Sequence, residues 1–195
     1  MAAVAGAVAE AVGTSRQRFS DSVIVENGGD CYLNLREETS VGIFAGPHSP
    51  FTGKIALKLG PHRFPLGVCT SSATLGPSLS FGNADAVIVL SPNTALADAA
   101  ATRPGNMVKT ASDIDQALAL APSIPSVEAV LIAIKDKIGI WGNVEGPRAD
   151  SHSEDSGLAK NKRRDYVVDF NPPGVSFREH DSPWLNAYAE RILGR

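Results

Sequence analysis

The sequence is poor in several things that commonly announce a function. It has two cysteines, Cys31 and Cys69, far apart and in no CxxC or metal-ligand spacing. That excludes a disulfide framework and a thiolate metal site, and leaves two buried thiols of a reducing compartment. Aromatic residues make up 6%, too few for a platform on which single-stranded nucleic acid could stack. The net charge of -3 and pI near 5.8 argue against a general binder of nucleic acid or anionic membrane. No apolar run approaches the roughly 18 residues of a membrane-spanning helix. The opening MAAVAGAVAEAV lacks a basic start and carries Glu10 within the apolar stretch, so it reads as part of a cytoplasmic protein rather than a signal peptide. There is no GxxxxGK[ST], no GxGxxG and no Ser-His-Asp pattern.

What is present is a 43% hydrophobic chain with clear punctuation. Met1–Val12 predicts a helix of small residues, followed by a polar connection over Gly13–Ser20. Val23–Glu26 and Cys31–Leu35 predict strands around Asn27-Gly28-Gly29-Asp30, a hairpin-type turn in which glycine supplies positive φ. Further strands are expected at Val41–Ala45, Lys54–Leu59 and Leu66–Thr70. Ala86–Ser91 is a short, β-branched apolar run of the buried-strand type. Thr94 is a credible N-cap for an Ala-rich helix over Ala95–Thr102, which Pro104-Gly105 should end. Ser112 is placed to cap a helix to about Ala121, and Ala129–Ile134 and Ile138–Trp141 form a hairpin around Lys135-Asp136-Lys137. Helices mixed with hairpins predict an α+β fold, with a mixed or antiparallel sheet and packed helices. Residues 1–145 form the domain. Residues 146–195, with eight acidic and eight basic side chains, are read as a polar linker and an extension ending in a short amphipathic helix.

Candidate chemistry gathers at four places. Asp98 and Thr102 are i and i+4 on one helix face, a spacing that suits a hard cation such as Mg²⁺. The alternative is a solvated carboxylate beside a threonine bonding back to its own helix. The glycines of Asn27-Gly28-Gly29-Asp30 would let backbone N–H groups approach a phosphate, with Asp30 accepting from hydroxyls, unless the stretch is an ordinary turn. Thr70-Ser71-Ser72 opens the long loop to Asn83 and offers hydroxyls to a ligand or to solvent. Asp85, at the start of the central strand, is a titratable group beside all of these.

The segment LADAAAT resembles the signature of the ApbE superfamily, the Mg²⁺-dependent flavin transferases that attach FMN from FAD to proteins. VENGGD, VGIFAG, GVCTSSATLG and SLSFGNADAV are similar to segments of a shorter branch of that superfamily, and the resemblance covers roughly residues 1–145. It implies an ApbE-like fold lacking N-terminal strands, because Met1 corresponds to an internal position of such proteins. It also implies binding of FAD or FMN by Asn27, Gly28, Gly29, Asp30, Thr70, Ser71 and Ser72, and of Mg²⁺ by Asp98 and Thr102. The His and the DPxTG motif of the transferases are missing, and Ser80–Asp85 stands in their place. Efficient FMN transfer is therefore not expected, and Asp85 is the one nearby substitute for the catalytic group. The same segments resemble the C-terminal part of 6-hydroxynicotinate reductase-type enzymes, which implies a flavin and iron–sulfur reductase with a redox partner protein. A third reading is a non-catalytic nucleotide-sensing or interaction domain.

Overall fold

A computed structural model describes residues 2–75 and 80–144, together with the backbone of 166–169. Nine strands and three helices follow one another as α1 (Val4–Arg16), β1 (Val23–Asn27), β2 (Asp30–Asn34), β3 (Thr39–Gly42), β4 (Ala56–Leu59), β5 (Leu66–Ser71), β6 (Ala86–Ser91), α2 (Thr94–Met107), α3 (Ile114–Leu118), β7 (Ala129–Ile134), β8 (Lys137–Gly142) and β9 (Tyr166–Asp169). Seven strands make one sheet in the order β1-β2-β5-β6-β7-β8-β9, and β3 pairs with β4 in a separate ribbon. Every pairing is antiparallel, so the α+β expectation holds in its antiparallel form. Among the described residues no helix is long and apolar enough to cross a membrane.

The centre of the sheet is β6 against β7. Both are buried at all six positions, which is why their sequences, AVIVLS and AVLIAI, are nearly continuous apolar runs rather than alternating ones. Each face has its own core. Leu33, Leu66, Val68, Ile88, Leu90 and Leu131 pack under the β3–β4 ribbon with Ile43, Phe51, Leu57 and Leu59. Cys69, Val87, Val89, Val130, Ile132 and Ile134 pack under α2 and α3 with Ala97, Ala101, Ile114 and Leu118.

The helical layer is close because its contact residues are small. A Cβ on Gly67 would lie 2.5 Å from the Thr94 Cα, and one on Gly6 would lie 2.5 Å from the Thr94 carbonyl oxygen. Two expected helix ends are thereby corrected. Gly13 does not end α1; it lets the helix pass over Tyr32, whose ring would be 2.1 Å from an added Cβ, and α1 continues to Arg16. Pro104 does not end α2. It is buried inside the helix with Gly105, and the Val108 N–H closes on its carbonyl at 3.1 Å. Packing on the sheet outweighs the hydrogen bond lost at proline.

The start of α2 differs from expectation too. Asn93 is the N-cap, its Oδ1 accepting from the Leu96 N–H at 2.7 Å, while Thr94 is fully buried. The next two N–H groups, of Thr94 and Ala95, are satisfied from another helix: Glu10 Oε2 of α1 accepts them at 2.8 and 3.3 Å. Further along, the 3₁₀ turn Ala111–Asp113 precedes α3, and its capping box is built by Thr110 and Asp113 rather than by Ser112. Replacing Glu10 by Ala should cost about 1–2 kcal/mol, the range of a lost cap, and Glu10→Gln should recover part of it. Urea unfolding measures this, and equal midpoints for all three proteins would remove the inter-helix cap from the account.

Candidate functional site

The pieces singled out in the sequence do come to one end of the sheet, but strand alternation divides them between its two faces. In β5, Leu66 and Val68 face the ribbon side, and Thr70 follows them. Gly29 is on that side as well, for a Cβ there would be 4.0 Å from the Thr70 Cβ. Cys69 and Ser71 face the helices. Continuing the β2–β5 register, in which Cys31 pairs with Val68, sets Asp30 opposite Cys69 on the helix side.

On the helix side the sequence brings two carboxylates together. Asp30 is buried, its Oδ1 accepting from the Thr70 N–H at 3.2 Å. Burial first, and the charge of Asp98 second, push its pKa from 3.8 up to about 6, against the lowering effect of the Thr70 N–H and the Cys69 thiol. Asp98 is itself engaged: its Oδ2 accepts from the Gly6 N–H in the first turn of α1, at 2.9 Å. Thr102 sets its hydroxyl 3.5 Å from the Asp98 carbonyl, the back-bonded arrangement named above as the alternative to metal binding. Among the described residues no three His, Cys, Asp or Glu side chains form a metal-holding set. Burial also pushes the Cys31 thiol up to about 12 and raises that of Cys69 further, so both stay protonated and neither is a nucleophile.

The groups of the expected binding turn are already bonded, Gly29 within the hairpin and Asn27 to α1 on the helix side. Gly28 and Gly29 adopt φ of +65° and +99°, the Gly29 N–H donates to Glu26 Oε1 at 2.8 Å, and the Asn27 amide donates to the Ala5 carbonyl at 3.1 Å. Ser71 packs its hydroxyl against Gly105 on the helix side. Ser72 organises the loop: its Oγ donates to the Asp85 carbonyl at 2.6 Å and accepts from the N–H groups of Thr74 and Leu75 at 3.1 and 3.0 Å.

Beyond Ser72 lies a cleft of about 590 Å³ between the Ala45–Pro50 loop, Thr74, Leu75, Asp85 and the β7–β8 turn, Lys135-Asp136. Asp85 Oδ2 accepts from the Lys135 N–H at 2.6 Å, which fixes the carboxylate on one wall. His48 stands on the other wall. Its loop is braced by the Thr52 hydroxyl, which accepts from the Ala45 N–H at 3.0 Å and donates to the Gly46 carbonyl at 2.6 Å, and by Phe51, which is completely buried. His48 is not among the residues that the sequence singled out. Nothing in spacing could have joined it to Asp85, since β4 and β5 intervene; only the flanking Pro47 and Pro50 marked a stiff loop.

The fold is an antiparallel α+β sheet with helices on one face and a polar cleft at its loop end. Residues 1–124 match the family described as AbpE bacteria, and the chain belongs to that family. It is 40% identical over 149 residues to a UPF0280 protein of Methanocaldococcus jannaschii, covering 74% of this chain and 60% of that one. It is 42% identical over 148 residues to a UPF0280 protein of Methanocella arvoryzae, covering 74% and 58%. The chain thus spans about 60% of the length of these relatives. This overturns the assignment to the ApbE flavin transferases and the likeness to 6-hydroxynicotinate reductase-type enzymes. The motifs that suggested them have structural causes: LADAAAT packs alanines on the sheet, Asn27–Asp30 is a hairpin turn bonded to α1 and β5, and Ser72 caps its own loop.

The raised Asp30 gives a pH test with a definite sign. The folded state holds this proton more tightly than the unfolded chain, so ionisation between pH 4 and about 6 costs stability, and the loss is complete above that range. Asp30→Asn keeps an acceptor for the Thr70 N–H and removes the charge. Its urea midpoint should rise relative to wild type on going from pH 5 to pH 7.5. A constant difference across that range would mean that Asp30 carries no such shift.

Proposed function

We propose that this chain binds a nucleotide, with FMN and FAD the first to be tested, in the cleft at the loop end of the sheet. The observation that carries the reading is the cleft. Its size falls within the 300–1,000 Å³ usual for small-molecule sites. It sets apolar Ala45, Pro47, Pro50 and Leu75 beside the polar groups of His48, Thr74, Asp85, Lys135 and Asp136. A ring system suits the former, and a sugar and phosphate suit the latter. Gly29 and Thr70 lie on the ribbon face of the sheet, which supports keeping them in this reading.

Mg²⁺ fits this reading less well. Asp98 and Thr102, the ligands nominated for it, lie under α2 on the opposite face, one holding the start of α1 and the other bonded back to its helix. No step is assigned to a metal here. Asp85 is one of the two carboxylates lining the cleft; the Lys135 N–H fixes it through one oxygen, and the other can accept from a ligand hydroxyl or amine.

Calorimetric titration with FMN and FAD, with and without Mg²⁺, tests the proposal. Saturable binding that is weakened by Asp85→Ala and indifferent to Mg²⁺ is expected. Absence of saturable binding up to about 1 mM, a level worth only about 4 kcal/mol, would refute it.

A further inference from the structure

The cleft has an internal polarity that the size and lining alone do not express. Each of its carboxylates has one partner. Asp85 takes the Lys135 backbone N–H at 2.6 Å, and Asp136 has the Lys137 ammonium at 3.5 Å. Its two nitrogen-bearing side chains have none. Among the described residues neither the His48 imidazole nor the Lys135 ammonium has an ion pair or a hydrogen bond, and both are exposed at the rim. The hydroxyl of Thr74 stands between the walls, 3.8 Å from where a Cβ on Gly46 would sit. Gly46, at φ +97°, thus leaves the throat of the cleft unfilled beside a donor.

Both cation-capable groups are held in place by backbone rather than by partners. Lys135 adopts φ of +55° in the two-residue turn between β7 and β8, and the Asp85 carboxylate pins its N–H. His48 is carried by the loop that Thr52 and Phe51 brace. An ammonium and an imidazole without partners, carried on two loops that line one cleft together with the Thr74 hydroxyl, are donors of the kind an anionic group requires. Lysine serves phosphate as a point charge, and imidazole offers an N–H donor in either protonation state.

We infer that the His48–Lys135 side of the cleft is a phosphate subsite, so that the ligand is a phosphorylated small molecule oriented with its phosphate between the Ala45–Pro50 loop and the β7–β8 turn. This deepens the nucleotide reading given above by assigning the phosphate to particular residues, and it can stand or fall separately from the identity of the rest of the ligand.

The experiment uses the full chain, wild type, His48→Ala and Lys135→Asn. Asparagine removes the ammonium yet tolerates positive φ, and both positions are exposed, so matching thermal melts serve as the folding control. FMN, riboflavin and pyrophosphate are the probes. FMN binding should weaken by tenfold or more in each variant and with added salt, while riboflavin binding changes little. If pyrophosphate binds and is lost in His48→Ala although FMN does not bind, the phosphate subsite stands and the flavin reading falls. If FMN binds all three proteins equally, the subsite is overturned and the flavin reading survives. If neither phosphorylated probe binds, both are overturned.

Discussion

Two helices in this protein exchange carboxylates, and much of the remaining geometry depends on that exchange. Glu10 of α1 satisfies the first N–H groups of α2, and Asp98 of α2 satisfies the Gly6 N–H near the start of α1. The first four N–H groups of any helix have no partner within it, and the positive end of the helix dipole favours an anion there. Both needs are met here from the neighbouring helix. The exchange requires the helix axes to be close, which Gly6 permits, while Gly67 lets the start of α2 lie against β5. It also parks the charge of Asp98 beside Asp30, and that is the second cause, after burial, of the high pKa there.

The sheet then decides which residues can cooperate. Because successive side chains point to opposite faces, the run Thr70-Ser71-Ser72 cannot deliver three hydroxyls to one ligand. Ser71 goes to the helices, and Ser72 is consumed in holding the loop to Asp85. The Asp30–Asp98 carboxylate pair and the loop cleft are therefore two separate polar features on either side of the strands. One sets two carboxylates together under the helices; the other is open to solvent and, among the described residues, leaves the His48 and Lys135 side chains without partners.

Most of the strands were legible in the sequence because their signals are local. Ala86–Ser91 and Ala129–Ile134 fall where their apolar runs begin and end, and the Asn27–Asp30 turn is marked by its glycines. What misled was small residues read as punctuation. Gly13 and Pro104 are breakers in isolation, but here Gly13 is a contact under Tyr32 and Pro104 is a packed helix interior. The true cap of α2 involves Glu10, 84 residues earlier, and no local pattern reports such a partner. The site was only half legible for the same reason: Asp85 stood out at a strand start, whereas its companions His48 and Lys135 belong to other loops and meet it only through the folded sheet.

The loop that carries His48 is fastened at its ends and by a turn in which the Ser49 N–H donates to the Gly46 carbonyl at 3.3 Å. Phe51 is sunk in the core, the Thr52 hydroxyl ties Ala45 to Gly46, and the side chains of Pro47 and His48 are left in solvent. Mechanical support and chemical character are thus assigned to different residues. Substitution at the tip would change one wall of the cleft with little loss of core packing, so that wall can vary while the interior is held constant.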